Sequence, residues 1–335
     1  MAGMRAMVLN KTGPIEENPL ELAEIERHRV NGPREVLLKI QACGVCHSQL
    51  HSIEGDWKHL GIPPALPTVP GHEVVGEVVE TGPGVTKFSV GDHAGVSPLL
   101  ESCMDCAYCT GGREYLCDSS TILGESMRGG YAEYLNVSED FATLVPADMN
   151  PEHAAPLFCA GITAYKAVKA AGPAPGSRVG IFGIGGVGHM AVQFARLAGA
   201  EVTAVSRSAE HLQVAAELGA SSTAVFGSEL PGGPLDTAIV FAPSDAATTA
   251  AIRAVKKGGT IVVGTIGEIR GFVAFEEKTI RGTLIGSPRD MEDVIRIAHE
   301  NSLQVVTERF PLEGANEALQ KLKNSKIKAR AVLVP

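Results

Sequence analysis

Residues 178–188 read RVGIFGIGGVG, a short apolar run that leads into a glycine-rich loop. The loop matches G-x-G-x-x-G, and the residues after it, HMAVQFARLAGA, are typical of an apolar helix. A strand, such a loop and a helix in succession favour a dinucleotide-binding fingerprint over an ordinary glycine turn. Gly183 permits the tight turn, Gly185 lets the backbone approach a pyrophosphate, and Gly188 lets the helix pack closely on the sheet. The candidate cofactor-binding residues of the loop are Gly183, Gly185, Gly186, Val187 and Gly188.

The chain after Pro175 alternates short β-branched stretches with longer helical ones, with Ser208 as a helix N-cap. Strands are predicted at Arg178–Phe182, Glu201–Ser206, Thr237–Phe241, Thr260–Val263 and Thr283–Gly286, and helices at Val187–Ala198 and Ala209–Leu218. Strands and helices in alternation imply an α/β, doubly wound parallel sheet that is covered on both faces. The first ~150 residues differ, since runs such as EVLLKIQACGV and HEVVGEVVETG predict strands that are broken by turns.

The end of the second predicted strand bears on which dinucleotide is bound. An NAD site usually places a carboxylate there, on the ribose 2′-hydroxyl. This chain has Ser206, Arg207 and Ser208 at that tip instead. An arginine can pair with a 2′-phosphate, and the two serines add hydroxyl donors, so NADP(H) is the predicted cofactor. The alternative is that Arg207 merely faces solvent.

Composition restricts the class of protein. The chain has 335 residues, of which 44% are hydrophobic, and its formal net charge is −9. This charge disfavours nucleic acid or an anionic membrane as the main partner. No apolar run reaches the length of a membrane span, and the N-terminus lacks the apolar stretch of a signal peptide. We therefore expect a cytoplasmic protein whose seven cysteines are reduced.

Four of these cysteines lie in one short segment with the spacing C-x2-C-x2-C-x7-C. They are Cys103, Cys106, Cys109 and Cys117. Four thiolates this close in sequence satisfy a closed, tetrahedral structural zinc site. An iron–sulfur cluster is the competing interpretation, but the ferredoxin run differs in its last spacing and has a proline after the fourth cysteine, where this chain has Asp118.

Cys43, Cys46 and His47 form C-x-x-C-H, a pattern with three incompatible interpretations. It is found in c-type haem attachment sites and in thioredoxin-like redox pairs, and it can be part of a metal site. The missing export signal disfavours haem. The spacing by itself does not choose between the remaining two.

Several motifs occur together and in one order: CGVCHSQLH, PGHEVVGEVVETGPGV, the four-cysteine segment, APLFCAGITAY and GIGGVGHMAVQFARLAGA. Together they resemble the zinc-dependent alcohol dehydrogenases of the medium-chain dehydrogenase/reductase superfamily, near the NADP(H)-dependent cinnamyl-alcohol type. The resemblance covers essentially the whole chain. It implies a Rossmann domain at residues 156–286. It also implies a β-rich, GroES-like catalytic domain at 1–155 and 287–335 that carries the structural-zinc lobe.

The resemblance also assigns roles to individual residues. Cys46, His72 and Cys159 match the catalytic-zinc ligands, which makes two zinc ions per chain and leaves Cys43 as a buried thiol. The further matches are Ser48 and His51 (proton relay), Glu73 (a carboxylate behind the zinc), His47 and Arg330 (near the cofactor pyrophosphate) and Thr163 (beside the nicotinamide).

One position departs from the family pattern. Gln49 stands where the family usually has an aspartate that hydrogen-bonds the histidine ligand, here His72. Such outer carboxylates fix the imidazole tautomer, and their loss costs about 10–100-fold in metal affinity or activity. We expect the zinc to be more electrophilic or more weakly held than usual, unless Gln49 faces elsewhere.

The function implied by the resemblance is hydride transfer between NADP(H) and an alcohol/aldehyde or ketone pair, with reduction as the expected working direction. A homo-oligomer, tetramer or dimer, is also implied. Two rivals from other classes are an NADP(H)- and zinc-binding sensor without turnover and a metal–thiolate electron carrier. Ser48, His51 and the intact ligand set argue against the sensor.

Overall fold

The computed structural model describes residues 3–62 and 65–335. The chain divides into one unit formed by residues up to Cys159 and from Gly286 onward, and a second unit, Ala160–Ile285. These breaks lie within a few residues of the expected boundaries at 155/156 and 286/287. Within the described residues, no helix has the length and apolarity that a membrane span requires.

The first unit begins with a β-rich segment. Its strands are β1 (Gly3–Leu9), β2 (Leu20–Glu26), β3 (Glu35–Val45), β4 (Val74–Thr81), β5 (His93–Val96), β6 (Leu99–Glu101), β7 (Thr121–Ile122), β8 (Tyr134–Ser138) and β9 (Ala142–Val145). Its helices are short: α1 (His47–Glu54), α2 (Ala107–Thr110) and α3 (Pro151–Ala154). The runs EVLLKIQACGV and HEVVGEVVETG, which predicted strands, form β3 and β4.

The second unit alternates helices and strands as predicted. Its helices are α4 (Ala160–Ala171), α5 (Gly188–Leu197), α6 (Ala209–Glu217) and α7 (Asp245–Ala254). Its strands are β10 (Arg178–Phe182), β11 (Glu201–Ser206), β12 (Ser222–Val225), β13 (Leu235–Val240), β14 (Val255–Val263) and β15 (Thr279–Gly282). All strand pairs are parallel, in the order β12-β11-β10-β13-β14-β15.

This order is doubly wound, because the chain moves outward from β10 in one direction and then returns to its other side at β13. Ligands of such sheets bind at the carboxyl ends of the strands where the order reverses. The glycine loop follows β10 and thus lies at that point. The core of this unit includes an apolar cluster with Phe182, Leu235 and Ile261 among its members.

One predicted strand was wrong. Thr283–Gly286 is irregular, and the edge strand is the preceding Thr279–Gly282, which pairs with β14 from Thr260↔Thr279 onward. The segments TIRG and TLIG both begin with a threonine followed by an apolar residue and end in glycine, and local propensity alone favoured the more apolar TLIG. Pairing with the neighbouring strand selects the register.

The chain then returns to the first unit through α8 (Pro288–Glu300), β16 (Thr307–Pro311), α9 (Ala315–Lys323) and β17 (Arg330–Val334). A capping box at Ser287 and Asp290 starts α8, since each side chain bonds the backbone N–H of the other. Strand β17 pairs with β16 on one side and with β3 on the other. The seven-stranded sheet runs β16-β17-β3-β4-β5-β9, and β8 also pairs with β3.

Candidate metal and cofactor sites

The loop between β10 and α5 has the geometry of a phosphate cradle. Gly183 has φ +99°, and a Cβ there would lie 2.5 Å from the backbone nitrogen of Ala242. A Cβ on Gly188 would lie 2.0 Å from the carbonyl oxygen of Gly183. A Cβ on Gly185 would meet nothing within 4 Å, so the loop is open at that position. Gly186 and Val187 complete the turn into α5, whose N-terminal amides suit a pyrophosphate.

The tip after β11 offers hydrogen-bond donors and one cation. The Ser206 hydroxyl oxygen accepts from the Ser208 N–H at 3.2 Å, and the Ser208 hydroxyl oxygen accepts from the His211 N–H at 3.3 Å. Both serines keep their hydroxyl protons for donation to a ligand. Arg207 is exposed and has no hydrogen bond or ion pair with any residue of 3–62 or 65–335. A cationic group with no acid to neutralise it suits a 2′-phosphate.

Four cysteine sulfurs converge in the lobe between β6 and β7. The Sγ atoms of Cys103 and Cys117 lie 3.5 Å apart, as do those of Cys106 and Cys109, and Cys103 lies 3.8 Å from Cys109. All four lie within 4.8 Å of one another. Zn–S bonds of about 2.3 Å in a tetrahedron place sulfurs about 3.8 Å apart. The lobe therefore forms a four-cysteine site that fits a structural zinc.

A second donor set assembles from three distant parts of the first unit. Cys46 immediately precedes α1, His72 lies just before β4, and Cys159 ends the first segment. The Sγ atoms of Cys46 and Cys159 are 3.8 Å apart, and donor atoms of all three residues, with a carboxylate oxygen of Glu73, lie within 4.8 Å of one another. Cys43 is fully buried on β3 outside this set.

The electrostatics of this set favour binding a metal cation. The hydrogen bond from Cys159 lowers the pKa of Cys46 well below its usual value, and the same bond raises the pKa of Cys159. Burial lowers the pKa of His72, but the adjacent Cys46 thiolate outweighs burial and raises it. The two thiols thus share one proton, which a zinc ion would displace because it needs thiolate ligands. Two thiolates and one imidazole match a known catalytic-zinc ligand set.

Ser48 and His51 lie one helical turn apart on α1. The Ser48 hydroxyl oxygen lies 3.1 Å from Cys46 Sγ and 3.3 Å from His72 Nε2, so it borders the donor set. His51 Nδ1 lies 2.8 Å from an Asp56 carboxylate oxygen, and its ring lies beside Trp57. Sequence reasoning missed Asp56. The only available signal was an acid five residues after the histidine, in HSIEGD.

Arg330 and Glu73 form a buried ion pair behind the donor set. Arg330 is 3% exposed, and its guanidinium group donates to Glu73 Oε1. Burial raises the pKa of Glu73 to about 7, although Arg330 opposes the shift. The second carboxylate oxygen points toward Gly44, where a Cβ would lie 1.8 Å from it, so this pair needs glycine on β3. The Arg330 charge thus faces Glu73, and its contact with a pyrophosphate stays a prediction.

The remaining predicted residues fall in separate units. His47 is the first residue of α1 and is exposed, and desolvation by the surrounding protein lowers the pKa of its ring. Thr163 lies in the first turns of α4. Gln49 does face the site, since its amide nitrogen lies 2.7 Å from His72 Nδ1.

Comparison with known proteins agrees with this arrangement. Residues 32–147 match the alcohol dehydrogenase GroES-like domain, and residues 186–300 match the zinc-binding dehydrogenase domain. An alcohol dehydrogenase from Geobacillus stearothermophilus is 38% identical, over 95% of this chain and 96% of that one. Two solved structures are similar in fold, and each comparison covers 99% of this chain and 97% of the chain in the solved structure. They are acetophenone reductase from Geotrichum candidum with NAD (28% identity, TM-score 0.87) and CAD from Helicobacter pylori with NADP(H) (26%, TM-score 0.86).

Proposed function

The chain belongs to the zinc-binding alcohol dehydrogenases of the medium-chain dehydrogenase/reductase superfamily, and we propose that it interconverts an alcohol with its aldehyde or ketone, with NADP(H) as the hydride carrier. The observation that carries this proposal is the donor set of Cys46, His72 and Cys159 with the Ser48 hydroxyl beside it. Three protein ligands leave a fourth position for a substrate oxygen, and the hydroxyl is within reach of that position.

Two zinc ions per chain have ligands under this proposal. Cys103, Cys106, Cys109 and Cys117 hold the structural ion, and Cys46, His72 and Cys159 hold the catalytic one. A catalytic zinc, when bound, supplies Lewis-acid polarisation of the substrate oxygen. Glu73 and Arg330 position the set from behind, because their mutual bond fixes both charges in a buried space.

Protons move through the chain's own side chains. Ser48 accepts the alcohol proton while it gives up its own hydroxyl proton toward His51, and both transfers reverse during reduction; its hydroxyl can act here because it lies next to the ligand set. His51 is the outer end of the relay. Asp56 accepts a hydrogen bond from its Nδ1, which leaves Nε2 free to exchange protons. A group that transfers a proton in the transition state contributes about 10²–10⁴-fold.

The experiment that tests this function is NADPH oxidation with a panel of aldehydes and ketones, with zinc content measured on the same sample. We expect turnover, and we expect Ser48→Ala to lower kcat/KM by about 10²–10⁴-fold while both zinc ions are retained. The proposal would be overturned if the zinc-loaded wild-type chain failed to oxidise NADPH with every aldehyde and ketone of the panel. That result would favour a sensor without turnover.

The preference for NADP(H) is supported by Arg207, which is exposed and unpaired within the described residues, and by the two serine hydroxyls beside it. A charged hydrogen bond to a phosphate contributes about 1.5–3 kcal/mol, or about 10–100-fold. We therefore expect Arg207→Ala to lower kcat/KM for NADPH by this factor and to leave that for NADH nearly unchanged. Arg253→Ala, an exposed arginine of α7, is the matched control. Equal losses with both cofactors would contradict the assignment.

A homo-oligomer, dimer or tetramer, is supported by exposed apolar side chains next to the edge strand β15. They are Ile266, Ile269, Phe272, Val273, Phe275 and Leu284. Exposed apolar surface of this kind usually marks an interaction site. Light scattering on the purified chain should give the mass of two or four copies, and Phe275→Glu should shift it toward one.

A further inference from the structure

Gln49 makes two hydrogen bonds whose requirements conflict with metal binding by His72. Its side chain is 2% exposed on α1. The amide oxygen accepts from the backbone N–H of Gly71 at 2.8 Å, and the amide nitrogen lies 2.7 Å from His72 Nδ1. The backbone of Gly124 closes the remaining side, since a Cβ there would lie 3.0 Å from the amide oxygen.

The orientation of the amide follows from its partner at Gly71. A backbone N–H can only donate, so the oxygen of Gln49 must face it, and the NH₂ group must face His72. An NH₂ group can only donate, so Nδ1 of His72 must accept. A neutral imidazole that accepts at Nδ1 carries its proton on Nε2, the nitrogen that lies 3.3 Å from Ser48 Oγ.

Metal binding needs the opposite tautomer. Nε2 faces the donor set, so it must offer its lone pair to the ion, and the proton must move to Nδ1. Nδ1–H and the NH₂ of Gln49 are then two donors 2.7 Å apart in a buried space. If the amide turns over, its NH₂ faces the Gly71 N–H at 2.8 Å instead. In either orientation the loaded site contains one unsatisfied pair of donors.

We infer that Gln49 is a positioning residue that lowers the affinity of the Cys46–His72–Cys159 set for its metal. Of the two zinc ions in the proposed function, the ion at this set is then the one that exchanges readily. This inference rests on the proposed function and names the position that sets the affinity of its catalytic site. An outer partner that supports the binding tautomer contributes about 10–100-fold to metal affinity. Gln49→Glu supplies such a partner, because a carboxylate of equal length accepts from both Gly71 N–H and His72 Nδ1–H.

The test is zinc release from the zinc-loaded full chain to an excess of the chelating dye 4-(2-pyridylazo)resorcinol. We expect a fast and a slow phase in the wild type. Cys46→Ser should lack the fast phase, which assigns it to the catalytic set. Gln49→Glu should slow the fast phase by about 10–100-fold and leave the slow phase unchanged, so the four-cysteine ion serves as the internal control.

A fast phase that is unchanged or faster in Gln49→Glu, at a wild-type melting temperature, would overturn the inference. If Gln49→Glu does not fold, the inference is tested on the wild-type chain by NMR. After labelling with ¹⁵N-histidine and removal of the fast-released zinc, NMR should show the proton of neutral His72 on Nε2, whereas a proton on Nδ1 would overturn the inference. Failure of the proposed function is a separate result, since it appears as absent carbonyl reduction in the zinc-loaded wild type.

Discussion

The two sulfur sites of this chain are built in opposite ways. The four-cysteine site takes all its ligands from residues 103–117, on a lobe where Cys103 is exposed. The Cys46–His72–Cys159 set takes its ligands from three segments that only the fold brings together, and His72 and Cys159 are buried. A ligand set that is local in sequence stabilises the segment that carries it. A dispersed, buried set can leave one position for a substrate and can be tuned by neighbours such as Gln49.

The largest expected effect separates the two sites by activity. Cys46→Ser removes a ligand from the dispersed set, and loss of the metal's contribution of several kcal/mol should lower kcat/KM by at least about 10³-fold. Melting temperature and zinc at the four-cysteine site should change little. Cys43→Ala, three residues away and outside the set, is the matched control and should keep both zinc ions. Steady-state kinetics and metal analysis check both variants.

The second effect is on stability. Cys117→Ser leaves three ligands in the lobe, and since structural zinc sites contribute directly to folding, the melting temperature should fall by on the order of 10 °C. Thermal unfolding with zinc analysis measures this. An unchanged melting temperature after loss of that zinc would mean that the stability of the lobe does not depend on its metal. The proposed contrast between a stabilising site and a catalytic site would then be wrong.

The smallest effect concerns the surroundings of the lobe. The Cys109 thiol donates to Ser102 Oγ at 3.4 Å, and once zinc converts Cys109 to a thiolate the Ser102 hydroxyl becomes the donor of this contact. Ser102→Ala should lower the melting temperature by a few degrees, on the order of 2–4 °C, without loss of zinc. Ser119→Ala, an exposed serine of the same lobe, should have no measurable effect. Equal shifts in both variants would assign the effect to the lobe surface and not to the sulfur contact.

Local patterns predicted much of this molecule. The loop at Gly183–Gly188, the strand Arg178–Phe182 and the cap at Ser208 all depend on neighbours in sequence, and the structure has them where the pattern placed them. The edge strand at Thr279–Gly282 was misplaced because its register depends on β14, a partner the local pattern does not contain.

In the candidate site, too, features that depend on neighbours in sequence were predicted, and features that depend on distant segments were not. Spacing alone indicates the four-cysteine ligands, whereas only resemblance to a family could connect Cys46 with Cys159, 113 residues apart. The sequence shows that position 49 holds a glutamine. It does not show that the Gly71 N–H fixes the direction of its amide, because that contact depends on two separate segments meeting. Asp56 was overlooked for a different reason: it is near His51 in sequence but lies beyond the end of α1, and the sequence does not show how the chain turns after Gly55.

The return of the chain to its first unit has a consequence for the order of biosynthesis. Residues 160–285 contain every strand of the parallel sheet, so this unit has all its strands before residues 286–335 leave the ribosome. The first unit is emerging earlier but cannot finish, because β17 is the strand that joins β16 to β3. The part of β3 that pairs with β17, Cys43–Val45, stays open until residues 331–333 have been made. Nascent chains of this protein therefore expose the Cys43–Val45 edge of β3, in the unit that carries both cysteine-containing sites, after residues 160–285 have completed their sheet.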